Sequence, residues 1–174
     1  MKKITMILAL AFTAAVASAQ GFKKSNNILE GTASYTKTTG TDGIYTVSPA
    51  LAHFVTDRVA IGVSGTFGDD GASTTTGFAA FARCYFLDVK GVLVHSQLGL
   101  GTVSVNTAGA KVASTTANLG LGANYFVTKR LSLNAGLGNL VNFTSSDGNS
   151  TTTIGFTGIT NPLNSGSFGL TYRL

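Results

Sequence analysis

Apolar and polar residues alternate one by one along most of this chain, which is the pattern of a β-strand with two unlike faces. The last nine residues show it clearly, with Phe168, Leu170, Tyr172 and Leu174 on one face and Gly169, Thr171 and Arg173 on the other. The same alternation recurs in segments 59–67, 118–127 and 131–143. Their polar faces consist of Ser, Thr, Asn and Gly, which suits a narrow polar lumen better than a dry core.

The alternation predicts an all-β chain of eight strands joined as antiparallel hairpins. We place these strands at about 27–37, 44–55, 58–67, 75–87, 91–104, 113–127, 130–143 and 166–174. Short turns near Asp57, 88–90 and Lys129 alternate with longer Gly/Thr/Ser/Asp-rich connections near 38–43, 68–74, 105–112 and 144–165. Segment 151–160 also alternates, so it either extends the last hairpin or begins a longer final strand that breaks near Asn161-Pro162.

An internal repeat supports this division into hairpins. The segment Phe54–Ile61 (FVTDRVAI) matches Phe126–Leu133 (FVTKRLSL) almost residue by residue. Two aromatic or imidazole side chains stand just before each of three predicted turns, at His53-Phe54, Tyr85-Phe86 and Tyr125-Phe126. Aromatic rings at the ends of spanning strands form the interfacial girdle of a membrane barrel, so these pairs predict one edge of a membrane span.

The first 19 residues read as a secretory signal peptide. Lys2 and Lys3 supply the positive start, an apolar centre follows, and Ala17-Ser-Ala19 predicts cleavage between Ala19 and Gln20. The alternative is an uncleaved anchor, but this apolar stretch is shorter than the roughly 20 residues that a spanning helix needs. Export combined with alternating strands predicts an up-and-down transmembrane β-barrel over residues 20–174, because only helices and closed barrels satisfy their backbone groups in lipid.

Composition narrows the alternatives. Charged residues make up 11% of the chain, fewer than a soluble lipocalin-like barrel would need on its outer face. Because Lys2 and Lys3 leave with the signal peptide, the net charge that remains is too small to predict nucleic-acid binding. The single cysteine, Cys84, excludes an internal disulfide and is interpreted as a small apolar filler.

The chain offers little catalytic or ligand-binding chemistry, and we predict no catalytic residue, no cofactor and no metal ion. His53 lies beside a turn, and His95 alternates with Gln97 and Gly99 on a predicted lumen face. His95 and Ser96 are adjacent, so they point to opposite faces and cannot form a dyad within one strand. The Gly-Leu-Gly strings at 99–101, 120–122 and 136–138 complete no nucleotide fingerprint, and we interpret them as small lumen residues.

Three charged residues form a candidate cluster inside the predicted barrel. Glu30 lies near the start of the first strand and Arg173 near the end of the last, and closing the barrel makes these strands neighbours. We therefore predict a Glu30–Arg173 pair that Arg83 shares from across the lumen. An inward Arg83 takes Phe81 and Tyr85 inward with it, whereas the repeat alignment suggests the opposite phase for Phe86, so a β-bulge is expected here.

Three motifs give the chain a family resemblance: Ser48-Pro49 followed by segment 51–62 (LAHFVTDRVAIG), segment 81–86 (FARCYF), and the terminal FGLTYRL of 168–174. Together they resemble the small outer-membrane β-barrel or porin-family proteins of Bacteroidetes-type bacteria, similar in architecture to OmpA/OmpX-type barrels. The resemblance implies eight strands, residence in outer-membrane lipid, and recognition of the C-terminal strand by the outer-membrane insertion machinery. Leu174 departs from the aromatic residue that commonly ends such strands.

The expected function follows from the size of the barrel, since an eight-stranded barrel has an interior that side chains just fill. The bulky candidates for filling this interior are Gln97, His95, Phe54 and Phe126. We expect an outer-membrane protein with a structural, adhesion or partner-binding role through its extracellular loops, whose partner the sequence does not identify. The alternatives are a narrow pore for ions or very small solutes and a soluble exported ligand-binding barrel. We do not expect an enzyme.

Overall fold

The computed structural model describes residues 21–36, 43–107, 110–146, 149–157 and 167–174. The predicted signal peptide at 1–19 lies outside these residues, as does its cleavage site at Ala19–Gln20. The predicted break near Asn161-Pro162 also lies outside them. Within the described residues the chain is built of strands, turns and short irregular segments.

In the described residues, nine strands form one antiparallel sheet that closes on itself. They are β1 (Asn27–Thr36), β2 (Ile44–Phe54), β3 (Val59–Asp69), β4 (Ser73–Val89), β5 (Val92–Thr107), β6 (Ala110–Phe126), β7 (Leu131–Ser146), β8 (Asn149–Thr157) and β9 (Ser167–Arg173). Each strand from β1 to β7 pairs with the next one in sequence, and β9 pairs with both β7 and β1. The barrel is closed by the β1–β9 pairing.

The eighth strand position of the barrel is occupied by two strands. β8 pairs with the second half of β7, from Asn139 to Ser146, and β9 pairs with its first half, from Leu131 to Gly136. Because both run antiparallel to β7, they lie end to end and together form the eighth strand of the wall. The predicted eight-stranded, up-and-down barrel is therefore confirmed, and 151–157 belongs to this eighth strand.

The two ends of the barrel differ in their connections. At the turn end, β4 and β5 are joined through Lys90 and Gly91, whose φ values of 51° and 86° are those of a tight type I′ turn. The repeat forms two matching turns there, in which the hydroxyls of Thr56 and Thr128 each accept a 2.9 Å hydrogen bond from the backbone three residues on. We call the opposite end, where β3–β4, β5–β6 and β7–β8 are joined, the loop end.

The hairpins at the loop end are longer than predicted. Strands β4 to β7 contain 16 or 17 residues each, so most of the predicted connections 68–74, 105–112 and 144–165 that fall in the described residues are strand instead. The prediction of long loops there was wrong. Gly-, Thr- and Ser-rich composition suggested loops, but Thr favours strands and pairs across them, as Ser73 and Thr107 do with hydroxyls 2.6 Å apart.

The outer wall of the barrel is apolar. Large hydrophobic side chains stand exposed around its middle, among them Ile61, Val63, Phe78 and Leu100, with 65% of Phe78 accessible. Toward the loop end the outward positions change to Thr74, Thr76 and Thr102. An apolar band bounded by polar residues is the surface of a barrel that lies in lipid.

The ambiguous phase of β4 is settled by a bulge. Phe81, Arg83 and Tyr85 point inward and are buried, whereas Cys84 is exposed on the outer wall. The register with β5 shifts between Tyr85 and Leu87, so a β-bulge is present at Phe86 as expected. Phe86 itself is exposed on the outer wall, so the inward phase that the repeat alignment suggested for it was wrong.

Candidate functional site in the barrel lumen

A buried ion pair crosses the lumen near the turn end. Glu30 on β1 and Arg83 on β4 form a two-pronged pair, with Arg83 Nη1 2.6 Å from Glu30 Oε1 and Nη2 2.8 Å from Oε2. Each side chain is only 5% accessible. Charges so deeply buried are stable only when they are paired and hydrogen-bonded, and this parallel geometry provides both.

The remaining hydrogen-bonding capacity of the pair is used by side chains from other strands. Thr171 donates to Glu30 Oε1 over 2.9 Å, and Asn134 donates to the same oxygen over 3.4 Å. Gln97 Oε1 accepts from Arg83 Nη2 and Nε, at 2.7 and 3.0 Å. The pair is therefore held from β5, β7 and β9 as well as from its own strands.

A second polar cluster continues this network across the lumen. The Tyr85 hydroxyl accepts from Arg83 Nη1 over 3.1 Å and lies 3.3 Å from Asn124 Oδ1, to which it donates. Asn124 Nδ2 in turn donates to Thr171 over 3.1 Å and to Ser132 over 3.4 Å. Asn124, Ser132 and Thr171 are almost completely buried. Together with Glu30, Arg83 and Gln97 they form what we call the charge network.

Of the three charged residues predicted to meet, the structure brings together Glu30 and Arg83. The β1–β9 register places Thr171 opposite Glu30, and Arg173 opposite Ile28 two pairs nearer the turn end. The expected Glu30–Arg173 pair is therefore not formed within the described residues, and a threonine hydroxyl occupies that position instead. The exact closing register, which decides this, is not encoded in the alternation of either strand alone.

An aromatic layer closes the lumen between the charge network and the turn end. It consists of Phe22, Phe54, Tyr85 and Phe126, all buried. The Phe22 ring stacks on Phe54 with centroids 4.6 Å apart, and it lies 4.9 Å from Phe126 and 5.3 Å from Tyr85. Aromatic rings at these separations attract one another and exclude water.

The aromatic pairs of the sequence divide between the two walls of the barrel. Phe54, Tyr85 and Phe126 point inward, while His53 and Phe86 are exposed on the outer wall. The girdle interpretation thus accounts for the outward members, and the prediction that Phe54 and Phe126 lie in the lumen is confirmed. Sequence reasoning missed Phe22, because a single apolar residue between Gly21 and Lys23 has no periodic neighbours to mark its face.

A polar cavity lies on the loop-end side of the ion pair. Its volume is about 290 Å³, and its lining includes Ser48, Ser64, Gln97, Asn118 and Asn134. Accessibility is higher toward the loop end. On the inner face of β6, for example, it increases from 5% at Phe126 to 43% at Val112. In the part of the chain that the structure describes, the lumen is thus filled at one end and accessible at the other.

Glycines make room for the larger lumen side chains. A Cβ atom at Gly122 would lie 2.5 Å from His95 Nε2, and one at Gly62 would lie 2.6 Å from the Phe81 ring. These contacts confirm the interpretation of Gly122 as a small lumen residue. His95 is buried in the lumen, as predicted, and its Nδ1 has no hydrogen-bond partner among the described residues.

We searched the described residues for clusters of side chains that could bind a metal ion. No group of three His, Cys, Asp or Glu side chains capable of holding a metal ion is found in the described ranges. Over the same residues, no helix is long and apolar enough to cross a membrane.

Comparison with known proteins places the fold. No family model and no curated protein matches the chain. The crystal structure of neisserial surface protein A (NspA) is similar over 86% of this chain and 96% of that one, with 14% identity and a TM-score of 0.51. A de novo designed transmembrane β-barrel matches at 11% identity over 89% of this chain and 100% of that one, with a TM-score of 0.48. A major outer membrane protein from Thermus thermophilus matches at 12% identity over 86% of this chain and 99% of that one, with a TM-score of 0.46.

The similarity to NspA, together with the closed antiparallel sheet and its apolar outer wall, shows that this chain has the fold of an outer-membrane β-barrel. The expected resemblance is thus confirmed at the level of the fold. A Bacteroidetes-type affiliation stays a prediction.

Proposed function

We propose that this protein is an integral outer-membrane β-barrel that does not conduct, and that it acts through the surface at its loop end. The observation that carries this proposal is the obstruction of the lumen by the charge network and the aromatic layer. An ion passing through would have to separate Arg83 from Glu30 and displace the stacked rings of Phe22 and Phe54. Either change separates buried groups from the partners they contact, which is costly.

The surface proposed to bind partners is formed by the hairpins β3–β4, β5–β6 and β7–β8 at the loop end. Above the apolar band their outward positions carry Thr and Ser, with Lys111 near one tip. Paired strands present these groups on a preformed surface, so binding loses less conformational entropy than it would in flexible loops. Adhesion, envelope structure or binding of a partner protein are the roles that such a surface fits.

The same proposal covers the route of the protein to the membrane. Residues 1–19 act as a cleaved signal peptide, and the insertion machinery recognises the terminal strand β9. The apolar band then contacts the lipid. In this proposal the protein is not an enzyme, since the buried side chains of the lumen serve to fill and close it.

A narrow pore is the second candidate, and the polar cavity favours it. This cavity reaches from the accessible half of the lumen down to Glu30 and Arg83. In a pore, the ion pair would act as the gate, and separating it would connect the cavity with the turn end once the aromatic layer also moved.

Conductance of the purified protein in planar bilayers distinguishes the two candidates. A folded barrel, identified by heat-modifiable migration, should show no channel events if the proposal is correct. Steady single-channel events from the unaltered protein would contradict it and favour the pore. Loop-end function is tested separately by deleting the tip of the β5–β6 hairpin, which should abolish partner binding while the migration shift is kept.

A further inference from the structure

The segment from Gly21 to Asn26 leads into β1 at the turn end. Within it the Phe22 side chain is buried, while Lys23 and Lys24 are exposed. The Phe22 ring contacts three other aromatic rings, which project inward from different strands: Phe54 of β2, Tyr85 of β4 and Phe126 of β6. We call these three residues the aromatic socket. Each lies at or near the end of its strand, so the pairing of the strands fixes its position.

Backbone contacts hold this segment against the barrel wall. The Ser25 amide donates to the Phe54 carbonyl over 2.8 Å, and the Phe54 amide donates to the Asn26 carbonyl over 2.9 Å. The Lys24 amide donates to the Asp57 carboxylate over 2.7 Å. Ser25 has a φ of 68°, a left-handed conformation that residues other than glycine rarely adopt. The tight turn therefore depends on the contacts that hold it, which aim Phe22 into the lumen.

We propose that the aromatic socket is a binding site for an aromatic side chain and that Phe22 is its resident ligand, so that segment Gly21–Asn26 is a plug sealing the turn end. This inference deepens the proposed function, since it assigns part of the lumen seal to a segment outside the strands. A short tether keeps Phe22 at a high effective concentration near the socket. The same tether can leave the socket without any strand of the barrel unpairing.

The accessibility of position 52 to a water-soluble reagent tests the plug directly. Ala52 is buried in the core cluster with Phe22 and Phe54. It pairs with Ile28, two positions nearer the turn end than the Glu30–Ala50 pair. A cysteine placed there is shielded by the charge network on one side and by Phe22 on the other. The experiment uses the Ala52→Cys, Cys84→Ser protein and a membrane-impermeant, water-soluble maleimide.

With Phe22 present, the cysteine should react slowly, and the Phe22→Ala substitution should raise the labelling rate by at least about tenfold. Phe22→Tyr, which keeps the ring, should restore protection. Lys23→Ala, an exposed neighbour, is the matched control and should leave the rate unchanged. The inference is overturned if Ala52→Cys reacts rapidly while Phe22 is in place, or stays protected in the Phe22→Ala variant.

Binding in trans provides a second test. In a variant lacking Gly21–Lys24, millimolar Gly-Phe-Lys-Lys peptide should restore protection of the cysteine, and Gly-Ala-Lys-Lys should not. Equal protection by both peptides, or by neither, would contradict an aromatic-specific site. Phe22→Leu replaces Phe22→Ala if the latter fails to fold, and mass spectrometry of each variant verifies an unchanged N-terminus.

The labelling result is independent of the proposed function. The unaltered barrel can be silent in bilayers while Ala52→Cys labels freely, which overturns the plug alone. Channel events from the unaltered barrel would overturn the proposed function, whatever the labelling shows.

Discussion

The two halves of the lumen are built from the same strands but behave differently. The turn-end half is filled with side chains, which form a stacked aromatic layer and a charge network in which each charged group has several partners. The loop-end half is polar and accessible: Ser, Thr and Asn line a cavity whose accessibility increases toward the hairpins. Strand pairing therefore forms the wall of the barrel, whereas a few long side chains decide at which end the lumen is closed.

Of the substitutions considered, those in the charge network should lower the stability of the barrel most. Removing one partner of a buried ion pair leaves an uncompensated charge, so Arg83→Ala should lower the free energy of unfolding by about 3–5 kcal/mol. Urea titration of the protein in lipid vesicles measures this loss. The double variant Glu30→Leu, Arg83→Met removes both charges and should recover most of the stability. A double variant as unstable as the single one would show that packing, not charge, dominates this layer.

Filling the space beside a lumen glycine should have the next largest effect on stability. A methyl group at Gly122 would meet the His95 ring, whereas one at Gly31 would meet no atom within 4 Å. Gly122→Ala should therefore cost about 1–3 kcal/mol of stability through overpacking, and Gly31→Ala is the matched control and should cost much less. Equal effects in the same urea titration would mean that backbone freedom, rather than the contact with His95, explains the glycine at 122.

The loop-end hairpins should tolerate change best. The hydroxyls of Ser73 and Thr107 pair across β4 and β5 at an exposed position. Because exposed substitutions of this kind usually change stability by less than about 0.5 kcal/mol, Thr107→Ala should leave the unfolding midpoint nearly unchanged. A loss as large as that of Gly122→Ala would show that the hairpins stabilise the barrel instead of serving mainly as a surface.

Much of the fold could be predicted from local patterns. Alternation with a period of two assigned Val63 and Leu133 to the outer wall and Asn124 and Ser132 to the inner one, because neighbouring residues of a strand point to opposite faces. The repeat predicted the matching turns at Thr56 and Thr128. The lengths of the hairpins were not predicted, since Thr- and Ser-rich segments form either strand or loop until a partner strand pairs with them.

Which residues close the turn end of the lumen depends on tertiary structure. The two strands β1 and β9 had to pair in one particular register before Thr171, rather than Arg173, could face Glu30. Phe22 could be placed only by the socket that receives it, because no local pattern marks a single aromatic residue before the first strand.

The chain by itself determined which side of each strand is apolar and where the polypeptide turns back, since both depend on residues near one another in sequence. Only the closed barrel decided which charges meet, which rings stack and which half of the lumen stays open. These contacts join residues far apart in the chain, and their distances depend on how the whole sheet closes.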